Sequence, residues 1–404
     1  MTATSRREYL GKVRERYRRA GRGYKARILD EFCVVCGYER KWAIRLLNRR
    51  LCGPAKRPGP EATYGAGLFK VLKGLWLASG QMCGKRLKEA LPLWMPHYRG
   101  ECNQETRALL LAASAATLDR LLAPARARYG RRGLGGTKPG ALLKTQIPIR
   151  TDNWDVSGPG YMEADTVAHC GTSLAGDFIW SVVLTDIHTG WTCQRAVWNK
   201  GSGGVIEAIS DMEKKLPFAL LGFDCDNGSE FLNYHLLAYF AQRPRPVGFT
   251  RSRPYHKNDN AHVEQKNWTH ARQLLGYERL AHPELVEPIN ALYGQEWELL
   301  QNFFSPSMKL KKKQRIGARQ VRHHDKAQTP LARLLESPAL NAVHRNELET
   351  LYAGLDPFKL SQKVERKLGK IWQEVRRHSL ASTPVALRAP CVAASENLPS
   401  APVS

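Results

Sequence analysis

The sequence predicts a multidomain chain with a helical amino-terminal region, a central α/β domain and a basic carboxyl-terminal region. Three observations carry this. Charge is partitioned: residues 1–150 hold 32 Lys and Arg against 10 Asp and Glu, residues 151–300 hold 12 against 19, and residues 301–404 hold 18 against 8. An acidic middle of −7 thus lies between flanks of +22 and +10. Near Tyr161 the apolar residues switch from helical spacing to short runs of strand length. Stretches rich in Gly, Pro and Arg, at 53–67 and 124–150, separate the periodic segments. The divisions expected are helical domains at 1–60 and 61–130, a basic linker at 131–157, the α/β domain at 158–280, a basic domain at 281–378 and a disordered tail at 379–404.

Residues 6–20 read as a basic helix. From Arg27 to Leu47 apolar residues recur at helical spacing on each side of Gly37, the pattern of helix–turn–helix. Its second helix would present Arg40, Lys41, Arg45 and Arg49 to a DNA groove. An ordinary helical hairpin fits the pattern equally well, and the basic surplus tips the reading towards DNA, because cations that neutralise phosphates release condensed counterions. Helices are expected at 68–80 and 83–94. A second helix–turn–helix follows at 106–122, with Ser114 as N-cap of its second helix. Cys33 and Cys36 form a CxxC, but no second pair follows at zinc-finger spacing, so core packing is the favoured reading. The nine cysteines are scattered, as suits reduced thiols in a cytosol. No run approaches 18 apolar residues, and MTATSRREYL lacks the apolar stretch of a signal peptide.

In the central domain, strands are expected at 161–168, 178–185 and 191–198. A helix marked by Val205, Ile209, Met212 and Leu216 follows, with Ser202 as its cap. Then come a strand at 219–223, a helix at 231–242, a strand at 247–250 and a long helix at 259–275. This βββαβαβα order is that of the ribonuclease-H-like fold. Beyond it, 284–303 read as helix, Lys309–Lys313 opens a basic stretch, and the final residues are rich in Ala, Pro and Ser.

Three acids fall at distinctive places. Asp165 lies in the first strand, within YMEADTV; Asp226 opens DNGSEF just past the fourth; Glu264 lies in PYHKNDNAHVEQKN, on the long helix. The separations are 61 and 38 residues. With TD at 185–186 and TGW at 189–191, these segments resemble the DDE family of insertion-sequence transposases and retroviral integrases, over residues 160–275. The resemblance implies an integrase-type catalytic core. Asp165, Asp226 and Glu264 would then be a catalytic triad holding two divalent cations, Mg²⁺ or Mn²⁺. Two such ions roughly 3.5–4 Å apart serve the attacking and leaving oxygens of an in-line phosphoryl displacement, and hard cations take carboxylate ligands. It further implies element-terminal and target DNA as partners, a homo-oligomer on DNA, and a bacterial cytoplasmic, nucleoid-associated location.

The neighbouring acids have other readings. Asp186 caps a turn, Asp259 caps the 259–275 helix, and Glu163, on the strand face of Asp165, is a lesser ligand candidate. Asp224 falls inside the fourth strand. Lys257, Asn260 and Lys266 border the site as DNA contacts, whereas His262, two residues before Glu264 and off its helical face, reads as a surface residue. Two alternatives remain: a structure-specific nuclease of the ribonuclease H class, and a DNA-binding regulator with an inactive core.

Overall fold

The computed structural model describes residues 3–49, 64–128, 156–226, 228–251, 263, 266–316 and 319–381. It divides into two compact units, Met1–Thr63 and Tyr64–Ser404.

The first unit is three helices, α1 (Ala3–Arg19), α2 (Arg22–Cys36) and α3 (Arg40–Asn48). Val13 and Tyr17 of α1, Ile28, Leu29, Phe32 and Cys36 of α2, and Ala43 and Leu47 of α3 close one core. The break between α2 and α3 falls at Gly37, whose φ of 68° is left-handed. Glycine adopts that conformation without a side-chain clash, and its N–H caps the helix on the Cys33 carbonyl at 2.8 Å. Cys36 is buried in this core and Cys33 packs beside it, as core packing requires.

In the second unit α4 (Ala66–Ala78), α5 (Gly84–Trp94), α6 (Gln104–Ala112) and α7 (Ala115–Arg126) come first. Ser114 caps α7 as expected, its hydroxyl accepting from the Thr117 N–H at 3.1 Å. The helices α6 and α7 meet at 109°, and no single described helix is long and apolar enough to cross a membrane.

Five strands follow, β1 (Tyr161–Ala168), β2 (Ile179–Asp186), β3 (Thr192–Trp198), β4 (Gly222–Cys225) and β5 (Gly248–Arg251), with α8 (Ser202–Glu213) and α9 (Tyr234–Ala241) between them. The sheet order is β3-β2-β1-β4-β5. The first three strands run antiparallel, and β4 and β5 continue parallel to β1. One face of the sheet is apolar: Met162, Ala164, Phe223 and Cys225 pack with Val205, Ile209 and Met212 of α8 and Leu236 and Phe240 of α9. The opposite face bears Glu163, Asp165, Thr185 and Asp224, because successive side chains alternate. Two expectations need correcting. Gly201, not Ser202, is the N-cap of α8, and no side chain caps it. The fourth strand is shifted from 219–223 to Gly222–Cys225. Apolar runs fix the presence of a strand better than its ends, and here register with β1 sets them.

Helical residues Asn267–Arg272 and Gln273–Leu275 (α10) cover the polar face, where Val263 and Ala271 meet Val167 and Val183. The turn at Asn267–Arg272 is widened to a π-helix. A long helix (α11) then runs through Val286–Ala291, Leu292–Trp297 and Glu298–Phe304. A hairpin of β6 (Leu310–Ile316) and β7 (Arg319–His324) follows, then α12 (Pro330–Glu336), α13 (Ala342–Ala353) and α14 (Pro357–Ala381). The segment read from the sequence as a second helical domain shares its core with these elements: Leu72, Trp76 and Trp94 join Leu292, Phe304, Leu334 and Ile371 in one cluster. Trp94 Nε1 donates to the Phe304 carbonyl at 3.0 Å. The disordered tail expected at 379–404 lies, from residue 382, outside the described residues.

Candidate catalytic carboxylate site

The register of the central strands brings two of the three expected acids together. In the parallel pairing of β1 with β4, Glu163 faces Asp224 and Ala164 faces Cys225. The next residue on each chain is Asp165 and Asp226, which places their backbones about one strand spacing, ~4.8 Å, apart. Asp165 Oδ2 accepts from Asn267 Nδ2 at 2.6 Å, and its Oδ1 from the Thr166 N–H at 2.7 Å. Asp226, at the open carboxyl end of β4, accepts from the Gly228 N–H at 2.9 Å.

The surroundings of Asp226 make its negative charge costly. Burial raises its pKa to about 6; the Gly228 N–H and Lys200 act against the rise, whereas Glu230 adds to it. Glu230 is itself buried. It accepts from Thr166 Oγ1 at 2.9 Å and from Lys200 Nζ at 3.2 Å, and Lys200 in turn lies 4.8 Å over the Trp180 ring. A side chain at Gly228 would meet the Glu230 carboxyl at 2.7 Å and Asp226 Oδ1 at 2.8 Å. A side chain there would have to push one of these carboxyl groups aside. Two carboxylates crowded at a strand end, with one lysine beside them, form an oxygen-rich, electronegative pocket suited to a hard divalent cation.

The other acids are held in structural roles. Asp224 accepts from Thr250 Oγ1 at 2.5 Å. Glu163 is fully buried and accepts from the Val263 N–H at 3.0 Å. Asp186 takes the Thr189 N–H and hydroxyl, both at 2.6 Å, and the Gly160 N–H at 2.9 Å. It closes the β2–β3 turn as expected, and burial raises its pKa against those hydrogen bonds.

Glu264, Lys257, Asp259, Asn260 and His262 lie outside the described residues. Lys266 corrects an expectation. It is 8% exposed rather than set on the surface as a DNA contact. Burial, and secondarily the cations Arg86 and Arg333, lower its pKa to about 7. On an interrupted helix the sequence shows no period that would assign this residue to the inner face. In the first unit Arg40, Lys41, Arg45 and Arg49 are exposed. Lys41 and Arg45 share a stripe opposite the buried Ala43 and Leu47, while Arg40 is ion-paired with Asp30 of α2.

Asn267, Glu230, Thr166 and Lys200 went unassigned in the sequence reading. A signal existed for Asn267: it lies three residues beyond Glu264, one helical turn along the same face. Asn267→Ala should leave the fold intact while releasing Asp165 Oδ2. Loss of a group that orients a metal-binding carboxylate costs about 10–100-fold in metal affinity or activity. The check is Mg²⁺ titration of the protein: the half-saturating concentration should rise, and an unchanged value would assign Asn267 to packing alone.

No protein-family model matches the chain. It is 42% identical over 340 residues to the "Uncharacterized protein y4rM" of Sinorhizobium fredii (strain NBRC 101917 / NGR234), covering 82% of this chain and 96% of that one. Two solved structures are similar at 15% identity. One is a chain of the simian T-cell lymphotropic virus intasome in complex with PP2A regulatory subunit B56 gamma, with a TM-score of 0.25 over 43% of this chain and 56% of that one. The other is the HTLV-2 integrase catalytic core domain in complex with magnesium (dimeric form), with a TM-score of 0.27 over 37% and 91%.

Proposed function

We propose that this chain, which belongs to the y4rM family, is a DNA transposase with a ribonuclease-H-like catalytic core. It would bind the ends of a mobile element and catalyse metal-dependent cleavage and strand transfer. The observation that carries this reading is the parallel β1–β4 register, which, continued by one residue, brings Asp165 within β1 level with Asp226 just past the carboxyl end of β4. The DNGSEF and PYHKNDNAHVE segments support it, with Glu264 as third ligand.

The donor set is all oxygen, as Mg²⁺ or Mn²⁺ requires. When bound, two such ions would activate the attacking oxygen and stabilise the leaving one. The chain's own residues would do the rest. Asn267 fixes the Asp165 carboxylate, Gly228 lets the backbone close around Asp226, and Glu230 with Lys200 sets the local charge. The exposed Lys41, Arg45 and Arg49 of the first unit would meet DNA phosphates or base edges, the protein acting as a homo-oligomer on DNA at the bacterial nucleoid.

A strand-transfer assay on the element's own terminal sequences tests this. Cleavage and joining should both appear with Mg²⁺ or Mn²⁺ and vanish in excess chelator, whereas binding to terminal DNA should persist. Cleavage without joining would favour the nuclease, binding with neither the regulator, and cleavage undiminished by chelator would overturn the metal assignment.

A further inference from the structure

A second set of metal-ligating side chains lies away from the carboxylates. His282 precedes the turn Pro283–Leu285, Glu284 lies within that turn, and His378 is on the last turns of α14. Glu284 Oε1 is 2.9 Å from His378 Nε2 and 3.7 Å from His282 Nδ1. The two imidazoles stack at 4.1 Å between centroids and 20° between planes. All three ligating atoms lie within 4.8 Å of one another.

We infer that His282, Glu284 and His378 form a binding site for Zn²⁺ or a similar borderline divalent ion, clamping the carboxyl end of α14 to the start of α11. Zinc bonds of about 2.0–2.1 Å to nitrogen and oxygen in tetrahedral geometry put neighbouring ligand atoms roughly 3.3 Å apart. The two distances to Glu284 Oε1 fall on either side of that value, and binding one ion would require the stacked imidazoles to swing apart so that each ring plane meets it. Three protein ligands leave a fourth position for water. Two imidazoles and one carboxylate suit zinc and its transition-metal neighbours, not Mg²⁺, which takes oxygen. The site therefore differs in chemistry from the one at Asp165 and Asp226, and it does not depend on the function proposed for that one.

The ligands reach the site from segments nearly a hundred residues apart, and α14 already packs along α11: Lys367 bonds the Ala291 carbonyl at 3.2 Å and Gln295 Oε1 at 2.8 Å. An ion at the far end would add a tie about three helical turns further along α14.

The test uses the full chain, purified without a metal-affinity step, stripped with chelator and carrying Asp165→Asn and Asp226→Asn so that the carboxylate site is silent. Zn²⁺ should bind at one ion per chain and raise the melting temperature. Co²⁺ should give the intense visible bands of a tetrahedral nitrogen–oxygen site without thiolate charge-transfer absorption. His282→Ala and His378→Ala should each weaken Zn²⁺ by more than ~100-fold, exceeding the loss expected for an outer partner. Having His282 on a loop keeps the test usable if His378→Ala misfolds. Full zinc affinity in either variant, thiolate bands pointing to Cys33 and Cys36, or no zinc bound by the parent at micromolar concentration would each overturn the assignment.

Discussion

Asp226→Asn is expected to fold and bind DNA but neither cut nor join it, with a loss beyond the ~10–100-fold of an outer metal partner. Asp224→Asn, two residues earlier, should lose some stability or rate and still transfer strands. The distinction follows from their positions. Asp224 is buried in β4, in register with Glu163 and Thr250 and hydrogen-bonded to the latter, whereas Asp226 lies past the strand's carboxyl end. An active Asp226→Asn beside a dead but folded Asp224→Asn would reverse the assignment. Stability supplies an independent readout. A carboxyl whose pKa is raised from 3.8 to about 6 binds its proton more tightly in the folded state. Its stabilising contribution is therefore complete below about pH 4 and lost as the pH rises through 6. Without metal, Asp226→Asn removes that loss and should match or exceed the parent at pH 7.5, by on the order of 1–3 kcal/mol. Added Mg²⁺ should raise the melting temperature of the parent and not of the variant. Equal metal shifts in both would separate Asp226 from the metal.

How much of this was legible depends on what fixes each feature. β1 was readable to its ends because YMEADTVA is bounded by glycine-rich turns, and that alone positions Asp165. Asn227-Gly228 marked the turn beyond β4, so Asp226 was placed at the strand's carboxyl end even though both bounds of the strand were misjudged. Ser114 announced its helix because capping is local chemistry. Ser202 did not, because Gly201 took the cap position and left the serine inside the first turn. Tertiary features were hidden. The burial of Lys266 comes from tertiary packing that also brings Arg86 and Arg333, distant in sequence, near enough to act on its charge. The joining of α4–α7 to α11–α14 leaves no mark in either segment's periodicity, since each shows only that it has an apolar face. The His282–Glu284–His378 cluster is invisible for the same reason.

Arg195→Ala should destabilise the second unit by about 3–5 kcal/mol, the usual cost of removing one member of a buried ion group. Arg195 on β3 is almost wholly buried. It donates to Asp211 of α8 at 2.6 Å and to Glu298 of α11 at 2.5 Å, and its guanidinium also donates to the Gln194 carbonyl at 2.7 Å. It therefore ties the sheet to a helix on each side. Burial opposes the charge of Arg195, but its two carboxylates outweigh that and its pKa is raised. Glu298 is the weak point, because burial raises its pKa despite the attraction of Arg195. Without the arginine, an ionised Glu298 would be left in a desolvated site, so the carboxyl should take up a proton instead. The destabilisation should then be smaller at pH 5 than at pH 8, since protonation relieves the uncompensated charge as the pH falls. Adding Glu298→Gln to Arg195→Ala should recover part of the loss at pH 8 and flatten its pH dependence, measured by denaturant unfolding. A deficit in Arg195→Ala that is the same at both pH values and unchanged by the second substitution would mean that lost packing of the arginine side chain, not the stranded carboxylate, dominates.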